Sequence, residues 1–272
     1  MRDPSGHDYV QRWHDRWPGA TSAVMHRPLD GDGRTSYELL AAAVPDTDRP
    51  VVDLACGDGY LAETIRRSRP ARRIVGVDLN RAELKAAHAR LGPAAALVRA
   101  DSTALPFADA SIGAVTTHFA LMLLRPVEMV LAEVRRVLVH GGALVSVVPA
   151  SGPPDEGDGW AALRGAFRAT MAEHPVDVPD MEDHRVMEAG PLTDLLASSG
   201  FTVSTTPAVL SQRCDPATAH DHLMSTYGPD LFPPEIRTLL SARVRENLVE
   251  RIGADGLVPM AHPILVVGAT AR

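Results

Sequence analysis

Acids and glycines stand here at spacings that suggest a ligand site. Residues Val51 to Tyr60 read Val-Val-Asp-Leu-Ala-Cys-Gly-Asp-Gly-Tyr and run on into Leu61-Ala62-Glu63-Thr64-Ile65. This is the pattern of a buried strand, a tight turn and a helix start. Glycine is needed where the backbone must turn sharply or let a ligand come close, and a helix N-terminus offers unpaired N–H groups to whatever binds. Asp53 closes the strand, Asp58 lies inside the turn, and Asp78 and Asp101 end the next two apolar runs. The spacing Gly57-x-Gly59-x-x-Ala62, with Asp78 about 20 residues on, also fits a dinucleotide fingerprint. Asp58 argues against it, because a pyrophosphate would sit against the same turn. Two like charges about 4 Å apart repel by roughly 4 kcal/mol at an effective dielectric near 20. The loop is therefore expected to take a ligand with cationic groups, and NAD is the lesser reading.

S-adenosylmethionine meets that description: it has a sulfonium and an ammonium group and no phosphate. Asp53-Leu54-Ala55-Cys56-Gly57-Asp58-Gly59 resembles the first motif of class I S-adenosylmethionine-dependent methyltransferases, in which an acid ends strand one and a glycine loop passes under the methionine moiety. Arg73-Ile74-Val75-Gly76-Val77-Asp78 resembles that family's second strand, whose final acid takes both ribose hydroxyls. Arg99-Ala100-Asp101-Ser102-Thr103-Ala104-Leu105-Pro106-Phe107 resembles its third motif, with Asp101 placed to meet the adenine amino group. The match covers roughly residues 50 to 150 well and the remainder in outline, in the manner of the small-molecule, ubiquinone/menaquinone methyltransferase-like group. Taken singly, Asp58 is equally well read as a helix N-cap, and Asp78 and Asp101 as ordinary turn residues. Jointly they carry the resemblance.

The resemblance implies an α/β, Rossmann-like fold: a mostly parallel seven-stranded sheet with an antiparallel last strand, helices on both faces and helical cap insertions. It implies S-adenosylmethionine as cofactor and S-adenosylhomocysteine as product. The expected cofactor contacts are Asp53, Ala55, Cys56, Gly57, Gly59, Asp78, Leu79, Asp101, Ser102, Thr103, His118 and Phe119.

Thr116-Thr117-His118-Phe119-Ala120 follows the fourth strand, where the family faces the reactive methyl group. Methyl transfer is an in-line displacement on an activated sulfonium, so the protein supplies alignment, and a base where the nucleophile carries a proton. His118 is the candidate base, with a purely pocket-shaping role as the alternative. His220-Asp221-His222, with His184 upstream, offers imidazoles to a metal only if the first two share a face, as in a strand. The stretch reads as helical, so they diverge and no metal is expected. The Asn-Pro-Pro-Tyr motif of the related amino-group methyltransferases is replaced by Thr117-His118-Phe119-Ala120, and no acidic metal set of the catechol type is evident. Small-molecule O-, N- or C-methylation remains.

The elements that must position these groups read as follows. Residues 1–49 form an N-terminal helical cap, in which Tyr9, Val10, Trp13 and Trp17 recur at near-helical spacing up to Pro18-Gly19 and Tyr37 to Ala43 forms a second helix. Tyr9, Trp13 and His14 are candidates for lining an acceptor pocket, with core packing as the competing role for the tryptophans. Residues 50–150 alternate strand and helix: strands at 51–55, 73–78, 95–100, 111–117 and 143–148, a helix from Val127 through Leu138, and a Gly141-Gly142 turn. Such repeats imply a parallel sheet with ligands at the carboxyl ends of its strands. Residues 151–189 read as a lid insertion, with a simple surface excursion as the alternative, and comprise a solvated loop at 151–159 and a helix around Trp160, Leu163, Phe167 and Met171. Residues 190–272 complete the sheet, with a strand at 202–210, a helical insertion at 213–253 and a closing strand at 264–268 expected antiparallel at the sheet edge. In the insertion, Pro234, Ile236, Leu239, Leu240, Val244, Leu248 and Ile252 mark an amphipathic helix whose apolar face needs a partner.

At 272 residues and 45% hydrophobic, the chain can bury a full core as one domain with a cap. A net charge of −7 without any basic run disfavours nucleic acid. The two cysteines, Cys56 and Cys214, make no disulfide framework. Without an apolar leader or a span-length segment, no membrane partner and a cytoplasmic setting are expected. The expected partner is a small-molecule or carrier-bound acceptor of natural-product type, and the chain a monomer or homodimer. The same fold and cofactor also serve cyclisation or rearrangement, or binding without turnover, because fold does not fix reaction.

Overall fold

The computed structural model describes residues 4–93, 95–151 and 157–272. Three helices precede the sheet: α1 (Pro4–Arg16), α2 (Ala20–Met25) and α3 (Ser36–Ala43). Pro18 and Gly19, the latter at φ 75°, break the first from the second. A capping box starts α3: Glu38 N donates to the Thr35 hydroxyl while Thr35 N donates to the Glu38 carboxylate.

The core then alternates β1 (Val51–Leu54), α4 (Tyr60–Ser68), β2 (Ile74–Asp78), α5 (Arg81–Leu91), β3 (Ala96–Arg99), β4 (Ile112–His118), α6 (Val127–Val137) and β5 (Leu138–Pro149). After α7 (Gly159–Glu173) and α8 (Ala189–Ser198) come β6 (Phe201–Cys214), α9 (Pro216–Met224), α10 (Pro234–Val249) and β7 (Val258–Ala271). The sheet order is β3-β2-β1-β4-β5-β7-β6. β7 is antiparallel to both of its neighbours and the other pairs are parallel. Every residue of β1 and β4 is buried, as central strands covered on both faces must be. Alternation along β5 divides the core in two: Leu144 and Val148 join α6 and α8 on one face, Val145 and Val147 join α3 and α4 on the other.

Four expectations are corrected. The closing strand lies between β5 and β6, so β6 is the edge. Leu138 is the first residue of β5, paired with Ile112, and α6 stops at Val137. The Gly141-Gly142 feature is a register shift inside β5, which passes from Leu138 opposite Ile112 to Ala143 opposite Ala114. Finally, β6 and β7 run well beyond the expected 202–210 and 264–268: their pairing continues from Ala208↔Ile264, where β5 ends, to Cys214↔Val258. That two-stranded ribbon reaches into the cap. There Val258 and Met260 pack with Ala162, Leu223, Leu240 and Val244 in a separate apolar cluster, so the partners of helix α10 are α7 and α9. Part of the expected loop at 151–159 lies outside the described residues. Among the described residues no helix is long and apolar enough to cross a membrane.

Candidate active site

The strand order reverses at β1, between β2 and β4, and a crevice opens beyond the carboxyl ends of the strands. Two non-glycine residues take left-handed φ there, Ala55 (55°) after β1 and Phe119 (50°) after β4, and both line the crevice. Strained backbone of this kind persists where surrounding structure enforces it, and it clusters at functional sites. Gly57 (51°) and Gly59 (78°) make the turn between them and α4 possible. A Cβ on Gly59 would lie 2.9 Å from Leu91 Cδ1 and 3.2 Å from Ala87 Cβ, so its size is fixed by α5 packing beneath it.

Asp78 ties this loop to the end of β2. Gly57 N donates to one of its carboxylate oxygens at 2.9 Å and Asn80 N to the other at 2.8 Å. Each oxygen keeps a lone pair for a further donor. Asp101 folds into a tight turn in which Thr103 N and Oγ1 donate to its Oδ1. Asp53 is buried; Thr116 Oγ1 donates to its Oδ1 at 3.2 Å, while Oδ2 meets no hydrogen-bond partner among the described residues. Burial is the main cause that pushes the Asp53 carboxyl up to about 7, with the Asp78 charge adding to it.

Asp58 does not face the crevice as a bare charge. Arg90 Nη2 pairs with it at 2.5 Å, the Ser22 hydroxyl donates to it at 2.5 Å, and Tyr60 N donates from the first turn of α4. The argument against a pyrophosphate therefore rests less on Asp58 and more on the neighbouring carboxylates of Asp53, Asp78, Asp101 and Glu83, all of which line the same cavity of about 130 Å³.

His118 forms part of that cavity's wall. Its Nε2 meets Ser36 Oγ at 2.9 Å and its ring stacks on Tyr37 at 3.8 Å between centroids. Burial lowers its basicity to about 3, so the ring is neutral at ordinary pH.

Of the expected cofactor contacts, Asp53, Ala55, Cys56, Gly57, Asp78, Leu79, Asp101, Ser102, His118 and Phe119 come together around this cavity. Gly59 and Thr103 do not line it: Gly59 caps α4 and Thr103 holds Asp101 from behind. The expected acceptor residues separate. His14 lines the first cavity and Trp13 a second one, while Tyr9 lines neither, its hydroxyl donating to the Tyr227 carbonyl. The face of α1 that reaches the first cavity is His7, Val10, Gln11 and His14, one step around the helix from the aromatic stripe that drew attention in the sequence. Trp17 is exposed.

The second cavity, about 540 Å³, lies between α1, α2 and the cap and shares Thr21, Phe119 and Tyr227 with the first. Its walls include Val24, Met25, Pro149 and Trp160, with Glu182, His222 and His262 among the polar groups. The His222 and His262 rings stack at 5.2 Å, and Trp160 meets each edge-on at 5.3 Å. Burial lowers their basicity to about 3 and about 4, and His262 Nε2 has no partner among the described residues. His220 diverges from His222, as helical spacing requires, and bonds Ser241. No group of His, Cys, Asp and Glu able to hold a metal ion occurs among the described residues. Glu83, Tyr227 and the His222–His262 pair escaped the sequence reading because only long-range packing brings them to the cavities.

Residues 52–146 match the family described as methyltransferase domain. The demethylmenaquinone methyltransferase of Thermus thermophilus is 34% identical over 143 residues, or 52% of this chain and 64% of that protein. The ubiquinone/menaquinone biosynthesis C-methyltransferase of Desulfotalea psychrophila is 40% identical over 115 residues, 42% of this chain and 47% of that protein. The chain thus spans about half to two thirds of the length of these relatives. In fold, it matches the cyclase SpnF at a TM-score of 0.59 and 16% identity, over 96% of this chain and 95% of that one. The fold is Rossmann-like, and within it residues 52–146 are similar to a methyltransferase domain.

Proposed function

We propose that this protein transfers the methyl group of S-adenosylmethionine to a small acceptor of natural-product type seated in the second cavity. The observation that carries the reading is the junction of the two cavities at Thr21, Phe119 and Tyr227, which lets a donor and an acceptor meet without passing through solvent. The fit of the donor rests on the acids. Asp53, with its unpartnered oxygen, takes the cationic methionine end; Asp78 takes the ribose hydroxyls and Asp101 the adenine amino group. The bound sulfonium supplies an activated methyl, and the chain's own work is alignment and exclusion of water. Ala55 and Gly57 bring the backbone close to the donor, while Leu79, Ser102 and Phe119 line its cavity.

His118 serves as wall rather than base: its Nε2 is engaged by Ser36 and its basicity is too low to take a proton efficiently near neutral pH. The mostly apolar walls of the second cavity, interrupted by the Asp158–Arg164 pair, Glu182, His222 and His262, suit an acceptor with an apolar body bearing a few oxygen or nitrogen functions. Trp13 forms part of its wall.

The test is formation of S-adenosylhomocysteine from S-adenosylmethionine in the presence of pooled small phenols, hydroxylated acids and amines. Formation that depends on one pool, and that falls at least tenfold in Trp160→Ala with cofactor affinity unchanged, supports the reading. Cofactor bound tightly with no pool turned over, or turnover indifferent to Trp160, would count against it.

A further inference from the structure

A chain of three side chains runs from the glycine loop to the junction of the cavities. Glu83, buried on α5, accepts the Gly19 N–H at 3.0 Å on Oε2, and its Oε1 lies 2.7 Å from His14 Nδ1. His14 Nε2 lies 2.8 Å from the Tyr227 hydroxyl. With Glu83 as a carboxylate, Nδ1 carries the proton, and in that tautomer of the neutral ring Nε2 accepts from the Tyr227 O–H. The relay then runs from Tyr227 to His14 to Glu83. It is the logic of an acid that orients an imidazole, which in turn takes a proton from a hydroxyl.

Everything around the chain holds it in place. Asn80, the N-cap of α5, donates to Gln11 O and to the Asp15 carboxylate, clamping α1 over the loop. Trp13 packs on the Tyr227 ring at 4.4 Å, and the Tyr9 hydroxyl donates to the Tyr227 carbonyl. Tyr227 lines both cavities and His14 lines the first, so Tyr227 stands where donor and acceptor meet, with its hydroxyl against His14.

We propose that Glu83, His14 and Tyr227 form a proton relay that deprotonates a hydroxyl-bearing acceptor as the methyl group is transferred, with Tyr227 as the catalytic residue and His14 and Glu83 positioning and charging it. This rests on the reading that the methyl donor occupies the first cavity. In the step, the acceptor O–H proton passes to the Tyr227 oxygen while the Tyr227 proton passes to His14 Nε2. The electron pair left on the acceptor forms the bond to the methyl carbon, and the pair of the broken S–CH3 bond stays on sulfur. His14 becomes an imidazolium paired with Glu83 and afterwards returns its proton to solvent. Tyr227 never holds a lasting negative charge, consistent with burial and the nearby carboxylates of Glu182, Glu83 and Asp78, which push its hydroxyl well above the usual range. The groups facing His14 are Glu83 on α5, Asp78 on β2 and Tyr227 from the cap.

The relay is tested with 4-nitrophenol, whose ionised form absorbs in the visible, bound to protein saturated with S-adenosylhomocysteine. The bound probe is expected to ionise at a pH lower by about 1 than the free probe, a tenfold change in its ionised-to-neutral ratio. Tyr227→Phe keeps the ring packing on Trp13 and Glu83→Gln keeps the shape of its side chain. Both are expected to lose that displacement, and Tyr227→Phe is expected to keep calorimetric affinity for S-adenosylhomocysteine within about threefold. A probe that fails to bind the wild type or titrates as it does free, or variants that retain the displacement, overturns the relay. So does a loss of S-adenosylhomocysteine affinity in the variants with the displacement intact, which would make the three residues a cofactor lid. Failure of S-adenosylhomocysteine to bind the wild type, read separately by calorimetry, overturns the underlying assignment and the relay with it.

Discussion

Neutralising Asp53 should remove most of the pH dependence of cofactor binding. Its carboxyl is buried, one oxygen has no partner among the described residues, and its pKa is raised from 3.8 to about 7. At 1.36 kcal/mol for each tenfold step, the ligand-free fold disfavours the ionised form by roughly 4 kcal/mol. The sign follows from proton counts. Between pH 3.8 and about 7 the folded protein holds a proton that the unfolded chain releases, so this group's stabilising contribution is complete below 3.8 and is lost as pH rises through about 7. A cationic ligand group beside Asp53 favours the ionised form and must expel that proton. Apparent affinity for S-adenosylmethionine should therefore rise about tenfold from about pH 6 to about pH 8, with nearly one proton released per ligand at the lower end. Calorimetric titration in buffers of different ionisation enthalpy reads both quantities. Asp53→Asn should bind about tenfold more weakly at about pH 8 and show little proton release, which separates the protein's titration from the ligand's own. Wild-type affinity and an unchanged pH slope in Asp53→Asn would refute the reasoning.

Three further outcomes are expected. Gly59→Ala forces a side chain into left-handed backbone at φ 78° and against Leu91 and Ala87; denaturant unfolding should show a loss of about 1–3 kcal/mol. Arg90→Met leaves the Asp58 carboxylate with Ser22 and Tyr60 as its partners among the described residues. It should cost about 1–3 kcal/mol by the same measurement, and adding Asp58→Asn should restore much of the loss in a double-mutant cycle. His262→Phe keeps a ring stacked against His222 and removes the unpartnered Nε2. It should raise stability by about 1 kcal/mol while weakening use of a polar acceptor, a separation visible as a higher KM for that acceptor at unchanged cofactor affinity.

The strand-end acids were legible in the sequence because each follows a short apolar run whose length and turn residues are local features. The seven-stranded sheet, the break at Pro18-Gly19 and the helices at Trp160 and Pro234 were legible for the same reason. The phase of α1 was not. Tyr9, Trp13 and Trp17 are its most conspicuous side chains, yet Tyr9 and Trp13 face the cap, Trp17 faces outward, and His7, Gln11 and His14 face the cavity. Periodicity identifies a stripe without saying which element will cover it. The long β6–β7 ribbon was hidden by its mixed composition, since Thr205, Thr206, Gln212 and Arg213 do not alternate cleanly with apolar residues. The pairing of the two insertions into one cap depends on that ribbon, and so does the cavity that Trp160, His222 and His262 line. The place of Asp58 in the turn is a local feature, but its neutralising partner Arg90 stands 32 residues away on the far end of α5.

The most direct test of the central claim is thermal unfolding of the purified protein with saturating S-adenosylmethionine, S-adenosylhomocysteine or NAD. A ligand present at about 100 times its dissociation constant adds roughly 2.7 kcal/mol to the folded state. The acid-lined cavity predicts a raised midpoint with both adenosyl compounds and none with NAD. A raised midpoint with NAD alone would contradict the account.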